Sequence, residues 1–99
     1  MLLQARQGAA GVLKITQRLE RGGQAILILE GALSGPWVDE LQRAVERCRE
    51  AGLAARLDLV AVQYVDARGQ HVLGQLLDGE VEIDACSMFV AELLGRNRP

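Results

Sequence analysis

Val60-Ala61-Val62-Gln63-Tyr64-Val65-Asp66-Ala67-Arg68-Gly69-Gln70-His71 decides the fold of this chain. An apolar run of strand type is followed by Asp-Ala-Arg-Gly and then by helical spacing. A strand therefore delivers a tight loop to a helix start, where free backbone N–H groups and the helix dipole favour negative charge. Downstream, Gly69 to Asp78 predicts a helix that turns Val72, Leu73, Leu76 and Leu77 inward, and Asp78-Gly79 ends it.

Working outward, Ala54 to Val62 begins the strand that leads into this loop, with Leu57 and Leu59 on one face. Before it, Ser34 or Gly35 is placed to cap a helix with Pro36 at its first position. That helix is expected from Pro36 to about Ala51, with Trp37, Leu41, Ala44, Val45 and Cys48 on one stripe and Gly52 as the stop. Asp39 and Arg43 are spaced for an i,i+4 pair. Further upstream, Ala25-Ile-Leu-Ile-Leu-Glu30 is a strand apolar on both faces, hence interior to the sheet. Val12 to Leu19 alternates partially, and the Arg21-Gly-Gly-Gln turn joins the two runs as a hairpin. Towards the end, Val81-Glu-Ile-Asp-Ala alternates as a fourth strand. Ser87 then caps a last helix carrying Met88, Phe89, Val90, Leu93 and Leu94, which Gly95 stops. Residues 1–11 read as a loose lead-in and 96–99 as a polar tail. With no internal repeat or linker, residues 1–99 are expected to form one domain.

The pattern predicts an α/β fold: a mixed sheet of about four strands, an N-terminal hairpin plus right-handed parallel crossovers, covered by about three helices. The 99 residues are 49% apolar, enough for one aliphatic core, since Trp37, Tyr64 and Phe89 are the only aromatics. The net charge of -2 is interleaved along the chain, with no basic stripe and few rings to stack on bases, so nucleic acid is not an expected partner. The longest apolar run, Ala25 to Leu29, is too short for membrane insertion, and the first residues lack the layout of a signal peptide, so a cytoplasmic location is expected. Cys48 and Cys86 are compatible with one disulfide or two thiols; a reducing compartment favours thiols. One histidine and no Cys-x-x-Cys leave no zinc ligand set, and no cofactor is expected.

The ordered set of short motifs resembles the STAS family, the fold of anti-sigma-factor antagonists. Gly31-Ala32-Leu33-Ser34 is similar to that family's Gly-x-Leu at the end of the second strand, with Ser34 where Asp is usual. Leu57-Asp58-Leu59 matches its Leu-Asp-Leu. Val62 with Tyr64-Val65-Asp66 matches its run into the loop, and Gly69 matches the glycine that opens its second helix. The likeness spans roughly residues 12–94 in element order. It departs in three places. Ala67 stands where the family commonly has the Ser or Thr that a kinase phosphorylates; the segment between second helix and fourth strand is shorter; and the chain ends after the third helix, where longer members add a strand and a helix.

The resemblance implies a phosphorylation-independent protein-interaction module in bacterial signalling, not an enzyme, that binds an anti-sigma factor or switch kinase. The expected docking residues are Asp66, Ala67, Arg68, Gly69, Gln70 and Ser34, with no phospho-acceptor. The charged face of the first helix, Asp39, Arg43, Glu46 and Arg49, is a secondary interface candidate. Read from the residues alone, Asp66 caps the second helix, Asp58 fixes a loop or faces solvent at a strand end, and Arg68 is a solvated cation or an anion contact. His71 has no serine or cysteine partner in a shared motif and gives little support for catalysis. Two alternatives remain open: a structural subunit of a larger complex or a homodimer, and a sensor holding a nucleotide or other small anion at the helix start.

Overall fold

Strand β1 (Leu13–Glu20) opens the fold in the computed structural model, which describes residues 11–95. The lead-in predicted before residue 11 and the tail at 96–99 lie outside the described residues. After β1 come β2 (Gln24–Leu33), α1 (Pro36–Glu50), β3 (Ala54–Val65), α2 (Ala67–Asp78), β4 (Glu82–Cys86) and α3 (Met88–Leu94). The four strands form one sheet in the order β1-β2-β3-β4. β1 and β2 are an antiparallel hairpin, while β3 pairs parallel with both β2 and β4. The fold is therefore α/β, a four-strand mixed sheet with three helices, as the pattern predicts.

The core is one aliphatic cluster. Leu13 of β1, Leu27, Leu29 and Leu33 of β2, and Leu57, Leu59 and Val62 of β3 meet Val38, Leu41 and Cys48 of α1, Val72 and Leu73 of α2, and Val90 of α3. Because all three helices share this cluster with one face of the sheet, they lie on the same side of it. Three facings differ from the sequence reading. Val38 is fully buried, whereas Trp37 packs only partly against the cluster. Met88 and Phe89 are 69% and 47% exposed, so α3 seats itself by Val90 and the partly buried Leu94. A seven-residue helix has room for only one narrow apolar contact line.

The end of β2 also moves. β2 runs through Gly31 to Leu33 instead of ending at Glu30. Gly31 has φ +111°, and a Cβ there would collide with the Val12 carbonyl oxygen, so the absent side chain is what lets β1 close against β2. β3 is a single strand of 12 residues whose buried positions change phase: Ala55, Leu57 and Leu59, then Val62, then the half-buried Val65. Its pairing with β2 shifts register between Ile28 and Glu30 and between Gly31 and Ala32. Each shift inserts an extra β3 residue, which turns the next side chain onto the opposite face. Asp58 serves the first of these: its carboxylate accepts the Val60 N–H at 3.1 Å. It steadies an irregularity within the strand, not a strand end.

Candidate functional site

β2, β3 and β4 are mutually parallel, so their carboxyl ends lie along one edge of the sheet, and each feeds a helix. The starts of α1, α2 and α3 converge there, as is general for ligand-facing edges of open α/β sheets.

Asp66 organises this edge. It stands in extended backbone conformation as the cap of α2, and its Oδ1 accepts the Gly69 N–H at 2.7 Å. The Asp66 carbonyl accepts the Gln70 N–H at 2.9 Å, so the helix begins at Ala67, two residues earlier than the spacing suggests. Its other oxygen, Oδ2, accepts the Gly35 N–H at 3.0 Å. One carboxylate thus ties the start of α2 to the start of α1. The Gly35 bond, the Gly69 bond and the nearby Arg68 charge together hold the Asp66 carboxyl below its ordinary value, against partial burial.

A second tie crosses the same gap. The Arg68 guanidinium donates to Asp39 Oδ1 of α1 at 2.5 Å. This bond lowers the Asp39 pKa and raises that of Arg68. Asp39 is therefore not the partner of Arg43, which pairs with Glu40 at 2.7 Å. Gln70 is committed as well: its Nε2 donates to the Leu93 carbonyl at 2.8 Å, clasping α2 to α3.

The expected docking residues thus separate by role. Gly69 is buried, and a Cβ there would lie 2.6 Å from the Leu33 carbonyl oxygen, so its place is close packing of α2 on the end of β2. Ser34 is 6% exposed, and the cap of α1 is Gly35 with no side-chain cap bond. Of the two caps the sequence offers for α1, the structure uses Gly35, and Ser34 is buried beside it. Asp66, Arg68 and Gln70 bond within the chain. Ala67 is exposed at the first position of α2, beside a groove lined by Gln70, His71, Gly74 and Leu94. Tyr64 is 49% exposed and borders a second hollow with Gly35, Pro36 and Trp37. Sequence reading missed Tyr64, Met88 and Phe89 as surface groups. Apolar character alone assigns such residues to the core.

Ser87, by contrast, caps α3 as expected, its Oγ accepting the Val90 N–H at 3.2 Å, and Gly95 ends that helix in the left-handed region. Cys48 and Cys86 are both free thiols, and burial raises the pKa of Cys48. Among the described residues, no three His, Cys, Asp or Glu side chains are grouped to hold a metal, and no helix is long and apolar enough to cross a membrane. Compared with known proteins, the chain matches no family model and no curated protein.

Proposed function

We propose that this chain is a STAS-like protein-interaction module of bacterial signalling that works without phosphorylation. It docks an anti-sigma factor or a switch kinase on the edge formed by the starts of α1 and α2. The observation that carries this reading is Ala67: an exposed methyl group at the first position of α2, directly after a capping aspartate. A hydroxyl there would offer a kinase an accessible acceptor at a helix start, where added phosphate is stabilised. The methyl group removes that chemistry and leaves the surface. Binding is then constitutive and set by the amount of partner present.

The polar groups around Ala67 support the same reading. Asp66, Arg68 and Gln70 are satisfied within the chain, so the edge is held in shape before any partner arrives. The exposed Tyr64 supplies an aromatic contact of the kind that dominates interfaces.

Affinity capture from the native cell tests the proposal, with wild type compared with Ala67→Asp. Wild type should retain an anti-sigma factor or switch kinase that the variant loses at least tenfold. Equal recovery by both proteins would overturn it. In parallel, kinase and ATP should leave wild type unmodified, while Ala67→Ser gains one phosphate on the loop peptide. Phosphate on the wild-type loop would contradict the reading.

A further inference from the structure

Away from the Asp66 edge, β1 has backbone groups that no described residue meets. It borders only β2, and no other described strand pairs with its far side. The Ala32 N–H donates to the Val12 carbonyl at 3.1 Å, and the register sets Leu13 opposite Gly31 without irregularity. Antiparallel ladders alternate, so even-numbered residues bond to β2. The backbone N–H and C=O groups of Leu13, Ile15, Gln17 and Leu19 therefore point outward. Thr16 to Glu20 are all exposed, and Leu19 is 66% exposed although it shares a face with the core residues Leu13 and Ala25.

We propose that β1 pairs with β1 of a second copy of this chain, antiparallel and centred on Gln17, to give a homodimer with a continuous eight-stranded sheet. Two arguments select this occupant and register. First, outward groups meet outward groups only when the two-fold axis passes through a residue and not between two. Second, charge decides among those registers. Centring on Thr16 sets Lys14 against Arg18 of the second copy, and centring on Arg18 sets two arginines together; both juxtapose like charges. Centring on Ile15 or Leu19 leaves much of the strand unpaired. Centring on Gln17 pairs residues 14–20 of the strand, setting Lys14 opposite Glu20 of the second copy, Ile15 opposite Leu19, Thr16 opposite Arg18, and the two Gln17 side chains opposite each other. The charged pairs then occupy non-hydrogen-bonded positions, where side chains approach most closely. Every pair except the central Gln17 pair occurs twice by symmetry, so the patch is complementary to itself as a two-fold interface requires. Leu19, 66% exposed beside Ala25 in its own chain, gains a second apolar neighbour.

A strand-edge contact lies at the small end of stable interfaces, so the dimer forms reversibly with concentration. Sedimentation equilibrium on the full chain tests it, with circular dichroism to verify folding of each variant. Wild type should show a monomer–dimer equilibrium. Lys14→Glu or Glu20→Lys alone should raise the dimer Kd about tenfold by setting like charges opposite each other. The double variant K14E/E20K should restore it to within about threefold of wild type, which a merely structural effect of either change would not do. A wild-type chain that stays monomeric to about 1 mM, or a dimer unaffected by both single changes, would overturn the proposal.

Discussion

The edge at Asp66 and the edge at β1 handle polar backbone groups in opposite ways. At the first, two helix starts expose N–H groups and a single carboxylate satisfies one from each, while Arg68 and Asp39 neutralise one another across the gap. At the second, a strand carries a row of outward N–H and C=O groups that no described residue meets. At the first edge the side chains of Asp66, Arg68 and Gln70 are already bonded within the chain, so the partner proposed for it would gain from its shape and from exposed side chains such as Tyr64. The second is incomplete, so a partner gains from the backbone itself, and β-augmentation is the recognition mode it suits.

The largest effect is expected where the two regions share a support. Gly31 lets β1 close on β2, and β2 then runs on to Leu33, against whose carbonyl Gly69 packs. Gly31→Ala adds a positive-φ penalty to a backbone collision, for a loss of roughly 3 kcal/mol or more in urea unfolding. Dimer formation should fall with it, because β1 no longer lies flat on the sheet. A near-neutral Gly31→Ala would mean that β1 is held by something other than this close approach.

Asp66→Ala should break the first edge alone. Removing one carboxylate frees the N–H groups of Gly35 and Gly69 and costs about 2 kcal/mol, read as a lower urea midpoint. The pH dependence gives the sign. The folded-state pKa of Asp66 is depressed, so its contribution is complete above the ordinary value of 3.8 and fades as pH falls below it. The stability gap between wild type and Asp66→Ala should therefore be constant from about pH 5 to 7 and close towards pH 2. The β1 dimer should survive this change at neutral pH, since none of its pairs touches Asp66.

Ala67→Asp separates docking from folding. A carboxylate in the first turn gains from the helix dipole but sits beside Asp66, so stability should stay within about 0.5 kcal/mol of wild type. Partner capture should nonetheless be lost. Equal thermal melts with unequal capture would place the docking contact on the exposed methyl group itself.

How much of this was legible beforehand depended on the range of each interaction. The Asp66 cap and the Ser87 cap are local, with partner N–H groups three residues on, and both are readable from the sequence. The Gly35–Asp66 and Arg68–Asp39 bonds join residues 31 and 29 positions apart, and only the packing of α1 beside α2 creates them. The i,i+4 spacing of Asp39 and Arg43 is the signal the sequence offers, and it points to a different partner. The phase changes in β3 were hidden for a similar reason. Val60, Ala61, Val62 and Val65 are all apolar, and the two register shifts against β2 decide which of them faces inward. Met88 and Phe89 look like core residues in composition, but a helix as short as α3 cannot bury them all.

Arg68→Ala should have the smallest effect on stability, and that smallness sharpens the contrast between the edges. Arg68 and Asp39 are about half exposed, where water and salt screen the attraction and ordering two side chains offsets most of the gain. The urea midpoint should not move measurably. The pair nevertheless joins α1 to α2 beside Ala67, so its loss should loosen the Asp66 edge before it unfolds anything. Hydrogen exchange at the amides of residues 66–70 reads this directly: protection should fall in Arg68→Ala and in Asp39→Ala, and no further in the double variant, because one bond is removed in all three. Additive losses would show that the two side chains act separately and that the edge depends on Asp66 alone for its shape.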